Sequence, residues 1–271
     1  MSDASRITDY DRIADRYDTR YAVYPYDGVR ETLLGFLGPD SNAILEVGCG
    51  TGHWLGAVAA ARLKPSHEAR LKPSLYGIDP SERMLAQAAA RSAKALTERP
   101  GLVRARAEDL PFPDASFDRI YCVNALHHFT DRTAFFAEAR RVLKPGGGLL
   151  TIGKDPHTEQ DDWWVYTYFE ETRAIDRARF ARVRTLRGEM AVAGFAWTES
   201  MEADHIEIVR PADEALAAGV VDPSFTSQLT VLSDEEYAAG VEKLRQANMA
   251  AGGDLQLVAE FRLYATIGWV T

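Results

Sequence analysis

Glu46-Val47-Gly48-Cys49-Gly50-Thr51-Gly52 is the segment of this chain best suited to hold a ligand. Its glycines let the backbone turn sharply and let a ligand approach the main chain without meeting a Cβ. With a strand before the turn and a helix after it, the ligand sits at the positive end of that helix. A dinucleotide fingerprint, G-x-G-x-x-G, would put its third glycine at position 53; here that position is His53 and the glycine is Gly52. The spacing favours a ligand without a pyrophosphate and counts against a nicotinamide oxidoreductase.

An acidic residue closing the second strand of such a fold takes ribose hydroxyls, about 20 residues past the glycines. Asp79 has that place but lies 27 residues past Gly52. Ala61-Arg62-Leu63-Lys64-Pro65-Ser66 recurs eight residues later as Ala69-Arg70-Leu71-Lys72-Pro73-Ser74, which reads as a tandem duplication in a surface loop. Loops accept such insertions at low cost. Without it the spacing falls to 19 residues, so Asp79 is read as a ribose ligand rather than only a cap for the helix after Pro80.

The elements that must position these residues follow from periodicity. Residues 1–40 read as tyrosine-rich helices forming an amino-terminal lid, with Tyr10, Tyr17, Tyr21, Tyr24 and Tyr26. Ala43–Val47 is an apolar strand and about His53 to Leu63 a helix. Leu75–Ile78 is a second strand, and Leu102–Ala105 a weak third. Phe117–Asn124 is a fourth, followed by a helix burying Phe135, Phe136, Ala139, Val142 and Leu143 on one stripe. Lys144-Pro145-Gly146-Gly147 stops that helix, and Gly148–Ile152 is a fifth strand. This rhythm over residues 41–154 predicts a parallel sheet with helices on both faces.

The rhythm then breaks. Residues 155–184 read as a helical cap insertion with Trp163, Trp164, Tyr166, Tyr168 and Phe169; residues 185–271 read as the rest of the sheet. Leu186–Gly194 reads as a helix, His205–Val209 as a strand, and residues 211–253 as a second insertion. Ser233 and Glu236 have capping-box spacing at the start of a helix with a Tyr237, Val241 and Leu244 stripe. From Phe261 to Trp269 the chain alternates with period two, as a strand does. Two insertions on one side of the late sheet would build a lid.

Composition narrows the class. Of 271 residues, 46% are hydrophobic and 26% charged, the balance of a soluble globular chain. The formal net charge of −9 argues against a nucleic-acid partner, because phosphate binding needs clustered Lys and Arg. No apolar run approaches the ~20 residues of a membrane span. The polar start lacks a secretory core, which points to the cytoplasm. Cys49 and Cys122 make neither a disulfide scaffold nor a zinc site, so no metal is expected.

Taken in order, Glu46–Gly52, Tyr76-Gly77-Ile78-Asp79-Pro80-Ser81, Ala107-Glu108-Asp109-Leu110-Pro111-Phe112, Ser116-Phe117-Asp118, Asn124-Ala125-Leu126-His127-His128-Phe129 and Leu143-Lys144-Pro145-Gly146-Gly147 resemble the class I S-adenosylmethionine-dependent methyltransferases. The start, Tyr10-Asp11-Arg12-Ile13-Ala14-Asp15-Arg16-Tyr17-Asp18, is similar to that of the ubiquinone and menaquinone type. The resemblance covers roughly residues 10–153. It implies a Rossmann-like, doubly wound, seven-stranded α/β sheet, mostly parallel with an antiparallel last strand, carrying helical lid insertions. Its cofactor would be S-adenosylmethionine, leaving S-adenosylhomocysteine.

Carried over by position, Glu46, Gly48, Cys49 and Gly50 would line the methionine and ribose of that donor. Asp79 would hold the ribose hydroxyls, Ala107 and Glu108 would border the adenine, Asn124 would lie beside the sulfonium, and Tyr17 would come from the lid. One departure stands out. Relatives often place aspartate before the Ala-Glu pair, whereas this chain has Arg106, which offers no acceptor.

Displacement at a sulfonium needs alignment, a dry cavity and sometimes a base. His127 and His128, after the fourth strand, are base candidates, as is His157 with Asp155 after the fifth; each has an equal structural reading. Tyr21, Tyr24, Trp164 and Tyr168, with Asp155, are candidates for a substrate pocket. The expected activity is methyl transfer to an O, N or C atom of a small, apolar or aromatic metabolite. The alternatives are a non-catalytic donor-binding scaffold or regulatory module, and a protein methyltransferase.

Overall fold

The computed structural model describes residues 10–14, 16–62, 74–95 and 99–271. Three helices open it: α1 (Tyr10–Ile13), α2 (Thr19–Val23) and α3 (Asp27–Leu37). α3 buries Val29, Leu33, Phe36 and Leu37, the single stripe that fixes a helix on a sheet. Strands and helices then alternate: β1 (Ala43–Val47), α4 (His53–Arg62), β2 (Ser74–Asp79), α5 (Glu82–Ala95), β3 (Gly101–Arg104), β4 (Phe117–Val123), α6 (Arg132–Val142) and β5 (Leu143–Gly153). The duplicated loop, residues 63–73, lies outside the described residues. α6 begins where the Asp131 side chain accepts the Ala134 N–H at 3.0 Å.

Beyond β5 come β6 (Asp162–Trp163), α7 (Trp164–Tyr168), α8 (Glu171–Arg179), α9 (Val183–Val192) and β7 (Trp197–Pro211). They are followed by α10 (Ala212–Ala217), α11 (Ser227–Thr230), α12 (Asp234–Ala250) and β8 (Gln256–Trp269). Ser233 and Glu236 form the capping box at the start of α12. No helix among the described residues is long and apolar enough to cross a membrane.

The strands form one mixed α/β sheet in the order β3-β2-β1-β4-β5-β8, with β7 on the far side of β8. Strands β1 to β5 pair in parallel; β8 runs antiparallel to β5, β6 and β7. Side chains leave β4 alternately, Tyr121 into one apolar cluster and Ile120 and Cys122 into the other, so both faces are covered. The order reverses between β1 and β4. At such a switch point the carboxyl ends of the strands open a crevice.

Two features differ from the sequence expectation. β6 is an eighth, two-residue strand inside the insertion expected to be helical: β5 pairs with only the last six residues of β8, leaving Ala259 and Glu260 to pair with Trp163 and Asp162. β7 is fifteen residues long where only His205–Val209 was expected. Its first half is largely exposed and polar, so backbone pairing with β8 holds it and no apolar alternation announces it.

Candidate functional site

The crevice at the β1/β4 switch is a cleft of about 240 Å³, partly open to solvent. Its base is the turn after β1. Gly48 has φ +72°, and a Cβ there would stand 2.5 Å from the Ala125 Cβ. Gly50 has φ +51° and faces the Tyr17 ring. These positions need glycine for a left-handed backbone and close packing together. The turn is tied to β2, because the Gly48 and Cys49 N–H groups both donate to the Ile78 carbonyl at 2.9 Å.

Three carboxylates lie along the cleft in different states. Glu46, 1% exposed, accepts the Tyr121 hydroxyl at 3.1 Å, and burial pushes its pKa well above the usual range. Asp79 accepts the Gly50 N–H at 3.0 Å and the Ser81 N–H at 2.9 Å; burial still raises its pKa. Glu108 behaves oppositely. Burial works against its charge, but the Thr130 hydroxyl and the Thr130 and Asp131 N–H groups hold its pKa down. Arg106 is exposed, 3.5 Å from Glu108 and 3.2 Å from the Thr130 hydroxyl.

The amino-terminal helices close one side of the cleft. Asp18 accepts the Thr51 hydroxyl at 2.6 Å and pairs with Arg91. The Arg20 guanidinium lies 3.9 Å above the Tyr17 ring and donates to the Tyr21 hydroxyl at 2.8 Å; its buried Nε meets no acceptor among the described residues. The Tyr10 hydroxyl is hydrogen-bonded to His128 Nε2, and burial drives the His128 pKa down to about 3.

A second, smaller chamber of about 50 Å³ shares Tyr10, Tyr17, Arg20 and Asn124 with the cleft as a common wall. Aromatic rings dominate its sides: Tyr24, Tyr26, Trp163, Phe180, Phe225 and Phe261. Its polar lining is Lys154, His127, Thr226, Ser227 and Gln228. Both insertions contribute, and they meet, since Gln228 Nε2 donates to Asp176 at 2.9 Å. Asn124 closes β4 with φ +52°, a left-handed conformation that asparagine tolerates, and its N–H donates to Ile152 at 2.8 Å. His127 stacks on Phe180 at 4.0 Å with Nε2 buried and without a partner among the described residues; burial pushes its pKa well down.

Tyr17, Glu46, Gly48, Cys49, Gly50, Asp79, Ala107, Glu108 and Asn124 thus all line the same cleft, together with Tyr21 and His128. Tyr24 and His127 line the second chamber. His157, Asp155, Trp164 and Tyr168 line neither. Asp155 accepts the His157 N–H at 3.1 Å and the Val183 N–H at 2.9 Å, which anchors the start of α9. The His157 ring is hydrogen-bonded to the Phe180 carbonyl at 3.0 Å. Trp164 is buried in the apolar cluster, and Tyr168 packs half-buried against it. Reading along the sequence missed Arg20, Tyr10, Lys154 and Gln228. Only Lys154 carried a signal there: a charge directly after an apolar strand, at the end where such sheets bind ligands.

Residues 45–151 match the family model described as a methyltransferase domain. Over those residues, somewhat under half of its length, the chain is similar to methyltransferases. The chain is 36% identical over 107 residues to 27-O-demethylrifamycin SV methyltransferase of Amycolatopsis mediterranei, covering 39% of this chain and 36% of that protein. It is 29% identical over 158 residues to demethylmenaquinone methyltransferase of Bacillus mycoides, covering 56% and 63%. The match therefore spans about a third to two thirds of these relatives' lengths. The fold is shared with the YcgJ protein of Bacillus subtilis, with a TM-score of 0.59 at 19% identity over 90% of this chain and 97% of that one.

Proposed function

We propose that this protein transfers a methyl group from S-adenosylmethionine to a small aromatic molecule seated in the second chamber. The observation that carries this reading is the common wall: a cleft suited to the donor shares Tyr10, Tyr17, Arg20 and Asn124 with an aromatic chamber. The named acceptors of the two relatives, demethylmenaquinone and 27-O-demethylrifamycin SV, support a small-molecule acceptor.

The residues of the cleft fit the donor. Each Asp79 oxygen already accepts one backbone N–H and keeps a lone pair for a ribose hydroxyl. Glu46, buried with a raised pKa, regains its charge when a cationic amino group comes beside it. Arg20 offers its unpartnered Nε–H to the carboxylate of the donor's amino-acid end. Ala107 borders the adenine, while Glu108 is committed to Thr130 and Asp131 and shapes that wall.

When bound, S-adenosylmethionine supplies a methyl group on a sulfonium whose departure as a neutral sulfide needs little acid–base help. The chain's own contribution is alignment and exclusion of water. Asn124, fixed at the end of β4, separates the two chambers at the place of transfer. The Tyr10–His128 pair closes the lid. His128, with a pKa near 3 and Nε2 engaged, is a weak proton acceptor at neutral pH. His157 is outside the chambers, and His127, which lines the second chamber, has its pKa pushed well down by burial, so no histidine is assigned as general base.

Incubating the protein with methyl-labelled donor and a panel of small aromatic acceptors tests this reading. Label transferred to an acceptor is the expected result. Tight donor binding without transfer to any acceptor would instead favour a non-catalytic binding module.

A further inference from the structure

The second chamber is aromatic on its sides but charged at one pole, a combination a neutral hydrocarbon acceptor does not call for. Lys154 follows β5 directly and is 9% exposed. Its ammonium lies 3.9 Å above the Trp163 ring, 3.3 Å from Asp161 and 3.2 Å from the Tyr166 hydroxyl, which accepts from it. Tyr166 in turn donates to Asp176 at 2.7 Å. Asp176, fully buried, also accepts from Arg179 at 2.8 Å and from Gln228 at 2.9 Å. Arg173 stacks over the other side of the Tyr166 ring at 4.6 Å.

Lys154, Arg179 and Arg173 thus gather around two carboxylates, Asp161 and Asp176; of these five only Lys154 lines the chamber, and Arg179 lines a neighbouring cavity that Lys154 also borders. Arg179 keeps both Nε and Nη1 buried without an acceptor among the described residues, whereas Asp161 takes the Arg262 N–H on Oδ1 and sets Oδ2, which has no hydrogen-bond partner among them, 3.3 Å from the Lys154 ammonium. A buried donor left unpaired costs free energy, and a surplus cation in low dielectric is a strong attractor for an anion. The aromatic walls would hold the ring to which that anion is attached.

Building on the function proposed above, we propose that the acceptor carries an anionic oxygen, as an aromatic carboxylate does, and that Lys154 seats it. The negative pole of the acceptor points at the end of β5 while its ring lies between Trp163, Phe180 and Phe225. Arg20, on the wall shared with the donor cleft, is left to the donor's carboxylate, so the two anionic groups are met by different cations.

Benzoate, benzamide and methyl benzoate are the probes, titrated calorimetrically into protein saturated with S-adenosylhomocysteine. The same preparation is first titrated with S-adenosylhomocysteine alone. Benzoate should bind at least about tenfold more tightly than either neutral probe, the scale of one charge-assisted hydrogen bond. Lys154→Met should erase that preference, and Lys154→Arg should keep it. Asp161→Asn retains the ammonium and removes a competing carboxylate, so it should strengthen benzoate binding and keeps the test alive if Lys154→Met does not fold.

Equal affinity for charged and neutral probes, or no benzoate binding to protein that holds S-adenosylhomocysteine, overturns the anionic acceptor and leaves the donor reading standing. Absence of S-adenosylhomocysteine binding overturns both. A Lys154 that merely clips β5 to Asp161 would lower the melting temperature when replaced but leave the ratio between benzoate and benzamide unchanged.

Discussion

The cleft proposed for the donor and the chamber proposed for the acceptor share a wall but are made in different ways. The cleft takes most of its lining from a turn and the carboxyl ends of neighbouring parallel strands, between Glu46 and Thr130, with backbone groups prominent. The chamber gathers side chains from Tyr10 to Leu263, brought together by a lid and two insertions. A site built from main chain is constrained by the fold itself. A site built from side chains on inserted helices can change its occupant while the sheet stays the same.

The sharpest way to break the contrast is at Gly48. Gly48→Val adds side-chain atoms where a Cβ alone would meet Ala125 at 2.5 Å, on a left-handed backbone. Strain and overpacking together should cost about 3 kcal/mol of stability, measured by urea unfolding, and remove donor binding. A variant that kept both would show that the turn is not what shapes the cleft.

Acid should act next, at the Tyr10–His128 contact beside the shared wall. The folded-state pKa of His128 is lowered to about 3 from an ordinary value of 6.5, so the unfolded chain binds the extra proton between those values. Stability from this group is therefore fully present above pH 6.5 and is lost as pH falls toward 3. Between pH 7 and pH 5 the loss should be about 2 kcal/mol, and His128→Gln should flatten that part of the profile. Equal slopes in the two proteins would mean that His128 does not carry it.

Asp79→Ala should weaken S-adenosylhomocysteine binding by more than tenfold, about 1.4 kcal/mol, with the fold intact by circular dichroism. Lys154→Met should have the smallest effect on the donor. Its affinity should stay within about twofold, because Lys154 does not line the cleft. A large loss of donor affinity in that variant would erase the separation between the two chambers.

The sequence was informative where position along the chain and position in space coincide. Glu46, Gly48, Gly50, Asp79 and Asn124 sit at the ends of strands that the apolar pattern locates, and neighbouring parallel strands bring those ends together. The fold was legible for the same reason, apart from the polar half of β7 and the two-residue β6. Reading failed where a contact is made by a distant segment. Asp155 and His157 look catalytic after β5, yet their partners, Val183 and Phe180, arrive from a later loop.

Trp163 and Trp164 show the finer limit. Trp163 ends β6 and lines the chamber, while its neighbour begins α7 and lines neither cavity, although both belong to one apolar cluster. Adjacent residues leaving a strand point to opposite sides, so a one-residue uncertainty in an element's boundary exchanges a site residue for a core residue. Lys154 and Gln228 could not be joined by spacing at all. They meet through Tyr166 and Asp176, on a different insertion from Gln228.

The most direct measurement is a calorimetric titration of the purified protein with S-adenosylhomocysteine, paired with the same titration of Asp79→Ala. A single saturable site in the first and a clear loss of affinity in the second is the predicted result. No heat and no thermal stabilisation from either the methyl donor or its product, in a folded preparation, would contradict the account at its base.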